Sequence, residues 1–238
     1  MGQERNNNKR EKEREMEQLK FFEREERGAR LTTRDMTVLR WLVEQRAATV
    51  AQVTTLLLQI TGATQLSDRR VRQIVSRWEN LGLVTRWNVW HGEPAVILPT
   101  GQAAKMFGYQ RWRRPGIGIL RHTVAVAEIR LRATPHGGNR KWISEIELRR
   151  HTAIGEHLAD GGWFEDGIAT AIEVELSPHG RKRVEATIKA LLYAQVGGKN
   201  RWERVLYVCS PTTFVQVSAV RDGLTPAERS RVIVRPMP

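Results

Sequence analysis

Across residues 31–108 the apolar positions recur at helical spacing three times, and then the period changes to that of a strand. Val38, Leu39, Leu42 and Val43 form the first stripe. It opens on Leu31-Thr32-Thr33-Arg34-Asp35, which places Thr32 as N-cap and Asp35 at the capping-box position, where glutamate is more usual. Thr49 caps a second helix whose core face is Val50, Val53, Leu56 and Leu57. Ser67 caps a third, with Asp68 in the first turn, where a negative charge suits the helix dipole. Its buried stripe is Val71, Ile74, Val75, Trp78 and Leu81, and Gly82 is the expected left-handed stop. Leu83–Val89 then reads as a strand, Trp90-His91-Gly92-Glu93-Pro94 as a turn and Ala95–Leu98 as the returning strand. Thr100-Gly101 starts a short helix that ends near Gly108.

The pattern beyond this point is different. Tyr109–Gly118 carries Arg111, Arg113, Arg114, Pro115 and two glycines and reads as a basic linker. The interleaved Trp112 also offers a stacking surface beside a nucleic-acid backbone. Leu120–Arg132 is helical, with Leu120, Val124, Ala127 and Leu131 on one side. Trp142–Leu148 reads as a strand, with a weaker segment near Ile154–Ala159. Thr170–Leu176 is a strand, Arg181–Ala194 a helix, Val205–Cys209 a strand, Thr212–Val220 a short helix and Arg231–Arg235 a last strand. Helices between strands imply right-handed crossovers and a mixed α/β sheet. Residues 1–30 hold 9 basic and 8 acidic side chains in tight alternation, with Met16, Leu19, Phe21 and Phe22 as their bulky apolar groups. Such a segment suits a charged helical or disordered arm and cannot build a core. The reading is therefore α+β: an arm over 1–30, a three-helix unit with a hairpin over 31–108, a linker over 109–118 and an α/β domain over 119–238.

Charge sharpens the picture. The chain of 238 residues has a net charge of +13, and residues 31–115 hold 12 Lys/Arg against 5 Asp/Glu. A polyanionic partner follows, most simply nucleic acid. Around the third helix, Arg69, Arg70, Arg72, Gln73, Ser76 and Arg77 occupy the faces that the apolar stripe leaves free, and Arg86 and His91 lie on the hairpin. Support helix, positioning helix, recognition helix and wing in that order describe a winged helix-turn-helix on double-stranded DNA, with no cofactor required. Arginine on an exposed helix is also the ordinary make-up of a solvated surface, and winged helices serve as protein–protein modules as well. A palindromic target would imply a homodimer. The single cysteine, Cys209, sits in an apolar run, excludes an internal disulfide framework and reads as a small core residue. No apolar run approaches the ~20 residues of a membrane span, so the expected location is cytoplasmic, on nucleoid or plasmid. Gly116-Ile117-Gly118 and Gly197-Gly198-Lys199-Asn200 lack the spacing of nucleotide-binding loops.

The carboxylates of the second half fall in a pattern of their own. Asp160 is expected to follow a strand end ahead of Gly161-Gly162, and Glu173 and Glu175 alternate with Ile172, Val174 and Leu176, so both project from one sheet face. With Asp160 on a neighbouring strand, three carboxylates would converge, and oxygen ligands of this kind suit Mg²⁺ or Mn²⁺ beside a phosphodiester. Alternating carboxylates on a strand are also the usual make-up of a solvated sheet face.

Five segments in order resemble the replication-relaxation family: Leu31-Thr32-Thr33-Arg34-Asp35, Leu98-Pro99-Thr100-Gly101, the run from Leu120 to Glu128, Ala159-Asp160-Gly161, and Ile172-Glu173-Val174-Glu175. The resemblance spans roughly residues 31–195, and the order of the motifs carries it more than any one of them. It implies a winged helix joined to a mixed α/β restriction-endonuclease-like domain, and a role in plasmid or mobile-element replication, mobilisation or transcriptional control. The related nuclease pattern is Pro-Asp followed by Asp/Glu-x-Lys. Here it becomes Ala159-Asp160 and Glu173-Val174-Glu175, with glutamate at the lysine position. Asp160 and Glu173 are then the candidate metal ligands, with Glu175, His122 and Lys189 as further catalytic candidates. Lys182 is an alternative source of the missing charge, and Glu128 could join His122 from the first helix of that half. The missing lysine argues against an active nuclease. A third reading makes the α/β half a scaffold that recruits a relaxase or replication protein through an acidic face.

Overall fold

In the computed structural model, residues 31–135, 138–153, 155–196 and 199–238 are described. The N-terminal arm, Ile154 and the Gly197-Gly198 step lie outside them. The structure is α+β.

Three helices open the chain: α1 (Thr33–Gln45), α2 (Val50–Thr61) and α3 (Asp68–Asn80). Each begins as the sequence predicts. Thr32 and Asp35 form a reciprocal capping box, Thr49 forms one with Gln52, and the Ser67 hydroxyl accepts from the Arg70 amide. Gly82 takes φ +69° where α3 stops, the left-handed conformation that glycine adopts without a Cβ clash. The chain then forms the hairpin β2 (Val84–Trp87) and β3 (Val96–Pro99), with Val84 opposite Pro99 and Trp87 opposite Val96. The two-residue β1 (Ala48–Thr49) joins the other edge of β3, giving the order β1-β3-β2. Thr100 caps α4 (Gly101–Met106). Val38, Leu39, Leu42, Val53, Leu57, Val71, Ile74, Val75 and Trp78 fill one core between these elements.

The second half is a five-stranded sheet in the order β10-β9-β6-β5-β4. Strands β4 (Lys141–Ser144), β5 (Gly161–Glu165) and β6 (Ile168–Glu175) form an antiparallel meander. Strands β9 (Arg204–Cys209) and β10 (Val232–Pro236) run parallel to β6, reached through the crossover helices α7 (Arg181–Leu192) and α8 (Pro211–Asp222). A small ladder, β7 (Gln195–Val196) with β8 (Lys199–Asn200), precedes β9. Ala171, Val205, Tyr207 and Cys209 face α7 and α8, while Ile172, Val174 and Val208 face α5 (Ile117–Ala133).

Helix α5 is shared. Its stripe of Leu120, Val124 and Leu131 turns toward the N-terminal unit, where Leu120 meets Ala47, Val96 and Leu98. Val126 and Ile129 take the sheet. Polar contacts fasten the same junction: Gln45 donates to the Thr123 carbonyl (3.3 Å), Gln52 to that of Val124 (2.9 Å) and Gln59 to that of Leu131 (3.2 Å). The Arg130–Glu44 ion pair (2.6 Å) is largely buried. The expected linker is packed as well, because the Trp112 indole donates to the Val43 carbonyl (3.3 Å) and Pro115 is buried.

Three expectations need correction. Trp142–Leu148 is not one strand: Ser144 forms a capping box with Glu147 and turns the chain into the short helix α6 (Glu145–Leu148). The strand expected near residues 154–159 instead starts at Gly161, so Asp160 precedes a strand rather than ending one. Both glycines belong to the strand, since a Cβ at Gly161 would collide with the Trp142 indole and one at Gly162 with that of Trp202. The short helix α9 (Pro226–Arg229), capped by Thr225 and Glu228, was not foreseen. Among the described residues no helix is long and apolar enough to cross a membrane.

Candidate functional site

Two surfaces carry the residues singled out from the sequence. The first is the outer face of α3. The stripe Val71, Ile74, Val75 and Trp78 faces the core, which leaves Arg69, Arg70, Arg72 and Gln73 exposed. Among the described residues, no hydrogen bond, ion pair or ring contact holds these four side chains. Positions 69, 72, 73 and 76 fall on one helical face by their spacing.

The other candidates on this unit are already engaged. Arg77 ion-pairs with Asp35, whose side chain is wholly buried, and so ties α3 to the start of α1. Burial opposes charge on Asp35, but the Thr32 and Arg34 hydrogen bonds and the Arg77 guanidinium together hold its carboxyl below the usual value. Arg77 thus serves the fold through this pair. Arg86 pairs with Glu79 (2.7 Å) and donates to Ser76 (3.3 Å), fixing the hairpin against α3. His91 is exposed at the hairpin tip. The hairpin's inner face lies on the second half: Arg114 stacks on Trp87 (3.7 Å), and Arg121 stacks on Trp90 (4.4 Å) while pairing with Glu93 (2.8 Å).

The second surface lies between α5, β5 and β6. The Asp160 amide donates to the Ile172 carbonyl (3.0 Å), which aligns the residue with β6 just before β5 begins. Its carboxylate accepts from the Val174 amide (2.8 Å) and from His122 Nε2 (3.0 Å). The same His122 nitrogen lies 3.1 Å from the Val174 carbonyl. Two acceptors around one nitrogen require that Nε2 carry a proton. Burial disfavours the charged ring, yet Asp160, then Glu173, outweigh it and push His122 up to about 9.

Glu173 projects from β6 and meets His157 Nε2 (2.8 Å). Burial, then the Asp160 charge, pushes the Glu173 carboxyl up to about 7, although both histidines pull the other way. His157 is raised in turn, chiefly by its hydrogen bond to Glu173. Glu175 faces His179 (3.6 Å), and burial raises its carboxyl. The site is a set of imidazole–carboxylate pairs, the setting in which acid–base roles arise.

Sequence reasoning located Asp160, Glu173, Glu175 and His122 and missed His157. The available signal was its position three residues before Asp160. Glu128 does not join them: it pairs with Arg132 (2.7 Å) and receives the Gln52 amide (3.2 Å). Lys189 pairs with Glu185 (2.8 Å), one turn back on its own helix, and Lys182 is exposed at the start of α7. Neither lysine contacts the cluster. Among the described residues, no three His, Cys, Asp or Glu side chains gather so as to hold a metal ion. Mg²⁺ calls for several oxygen ligands, whereas here Asp160 and Glu173 each face an imidazole, so this arrangement does not fit the expected cation. Cys209 is buried, and burial pushes its thiol up to about 11, away from nucleophilic use. Compared with protein-family models, with curated proteins and with solved structures, the chain matches none.

Proposed function

We propose that the protein binds double-stranded DNA sequence-selectively through residues 31–108 acting as a winged helix-turn-helix, with α3 as the recognition helix. One observation carries the reading. The fold uses Arg77 and Arg86 internally, yet Arg69, Arg70, Arg72 and Gln73 stand exposed on one helix with no partner among the described residues. Arginine forks match the acceptor pair of guanine in the major groove, glutamine matches adenine, and the remaining guanidinium groups suit phosphates. The net charge of +13 adds attraction that does not depend on sequence. The resemblance to the replication-relaxation family supports a role in plasmid or mobile-element replication, mobilisation or transcriptional control, in the cytoplasm.

A second reading is a restriction-endonuclease-like nuclease. The favouring observation is that Asp160 is tied to β6 through the Ile172 carbonyl and the Val174 amide, on either side of Glu173, whose carboxyl is pushed up to about 7 by burial and the Asp160 charge. Glutamate at position 175 and the engaged Lys189 weigh against it. Incubation with supercoiled plasmid in Mn²⁺ or EDTA separates the two. The first reading predicts retarded plasmid whose topology is unchanged once the protein is removed. Mn²⁺-dependent nicking that disappears in Asp160→Ala would install the second.

A further inference from the structure

We propose that residues 111–121 form a second DNA contact beside the hairpin, in which arginines meet phosphates and Ile117 and Ile119 lean on base steps in the minor groove. The proposal rests on the reading of α3 as the DNA-binding helix and extends its surface.

The segment lies where such a contact must lie. Arg114 and Arg121 stack on Trp87 and Trp90 of the hairpin, and the hairpin is fixed to α3 by Arg86 through Ser76 and Glu79. Neighbouring residues of β2 project to opposite faces, so Arg86 ties one face of the hairpin to α3 and Trp87, on the other face, carries this segment. Two large apolar side chains stand out on it: Ile117 is 62% exposed and Ile119 47%. Nothing in the described fold covers them.

Charge selects the occupant. From residue 94 to residue 127 the chain has no Asp or Glu and five cations: Lys105, Arg111, Arg113, Arg114 and Arg121. Arg111 and Arg113 are exposed, and their side chains have no partner among the described residues. A second copy of the chain would bring the same positive field and be repelled, whereas a polyanion is drawn in. Apolar side chains flanked by arginine are the means by which proteins enter the minor groove and lean on or between base steps. The glycines fit this use. Gly116 and Gly118 have open space where a Cβ would stand and take no positive φ, so the described fold does not demand glycine at either place. Their lack of a side chain lets a backbone approach closely.

The test is anisotropy of a labelled 24-base-pair duplex of random sequence, titrated with the full chain at several salt concentrations. Arg111→Ala/Arg113→Ala is expected to lower the slope of log affinity against log salt by about 2 units. Ile117→Ser/Ile119→Ser is expected to weaken binding roughly tenfold and leave the slope unchanged, because no charge is removed. Both variants alter exposed side chains, and circular dichroism melting checks that each folds. Wild-type affinity and slope in both variants, with binding still weakened by Arg69→Ala/Arg72→Ala, would overturn the second contact and leave α3 in place. Failure of the unaltered chain to bind the duplex at low salt would remove both. Ultracentrifugation in which the isoleucine variant loses only self-association would reassign the patch to a dimer and overturn the proposal.

Discussion

Arginine has two different duties on α3, and the environment of each side chain decides which. Arg77 faces a carboxylate that is wholly buried and already bonded by Thr32. Removing the guanidinium strands a buried negative charge, and Arg34 on the other oxygen offsets only part of the loss. Arg77→Ala is therefore expected to destabilise the fold by about 1–3 kcal/mol, read as a lower denaturant midpoint. Arg69→Ala or Arg72→Ala touches no partner and should leave the midpoint unchanged within about 0.5 kcal/mol. The sequence displays six polar side chains around the helix and cannot sort them, because Asp35 lies 42 residues away and only the packed fold brings it to Arg77. The same limit hid His157. It stands outside regular structure, where no periodicity marks a residue, and its role comes from Glu173 on a different element.

Among the elements, α5 joins the two halves. Neighbouring residues on it point to different tasks: Arg121 holds the hairpin through Trp90 and Glu93, and His122 holds the sheet through Asp160 and the Val174 carbonyl. The helix was legible from its apolar spacing, as were α1 to α3, because caps and stripes are local signals. The partner of its stripe was not legible. Leu120, Val124 and Leu131 cover the N-terminal unit, a choice set by tertiary contact. The first strand of the meander was overextended for a comparable reason, since the capping box of Ser144 and Glu147 competes with an apolar run that suits a strand.

The His122 tie has a pH signature. His122 is raised from 6.5 to about 9 in the fold, so its contribution is complete below the unfolded value and is lost as pH rises through the folded one. Glu173 is raised from 4.5 to about 7, so the fold favours its protonated form and loses that contribution as pH rises through about 7. His157 and Glu175, both raised, act with the same sign. Asp35, held low, gains its stabilising charge at more acid pH and does not oppose the trend. Thermal melting should therefore show a midpoint that falls by roughly 5 °C or more between about pH 5 and pH 9. His122→Gln should flatten the part of that fall above about pH 6.5. A midpoint that rises across this range would contradict the pairing.

At the scale of the whole molecule, the two halves differ in what they present. The N-terminal unit carries arginines that have no partner among the described residues on an exposed helix, while the α/β half sets Asp160 beside His122 and Glu173 beside His157. The order of the N-terminal helices and hairpin was readable from hydrophobic period, whereas the meander was not, since its first strand is shorter than the apolar run and its second begins only at Gly161. The alignment of Asp160 with Ile172 and Val174 depended on strand register, which one shifted boundary was enough to blur.

The central claim is that α3 reads duplex sequence. Selection of bound duplexes from a randomised pool by the full chain, with sequencing of the retained molecules, tests it directly. The account predicts a short motif holding guanine or adenine at fixed positions, enriched by the unaltered chain. It is lost in Arg69→Ala/Arg72→Ala/Gln73→Ala, whose melting curve matches the wild type. Retention of the same motif by that variant, or a pool that never converges, would contradict it.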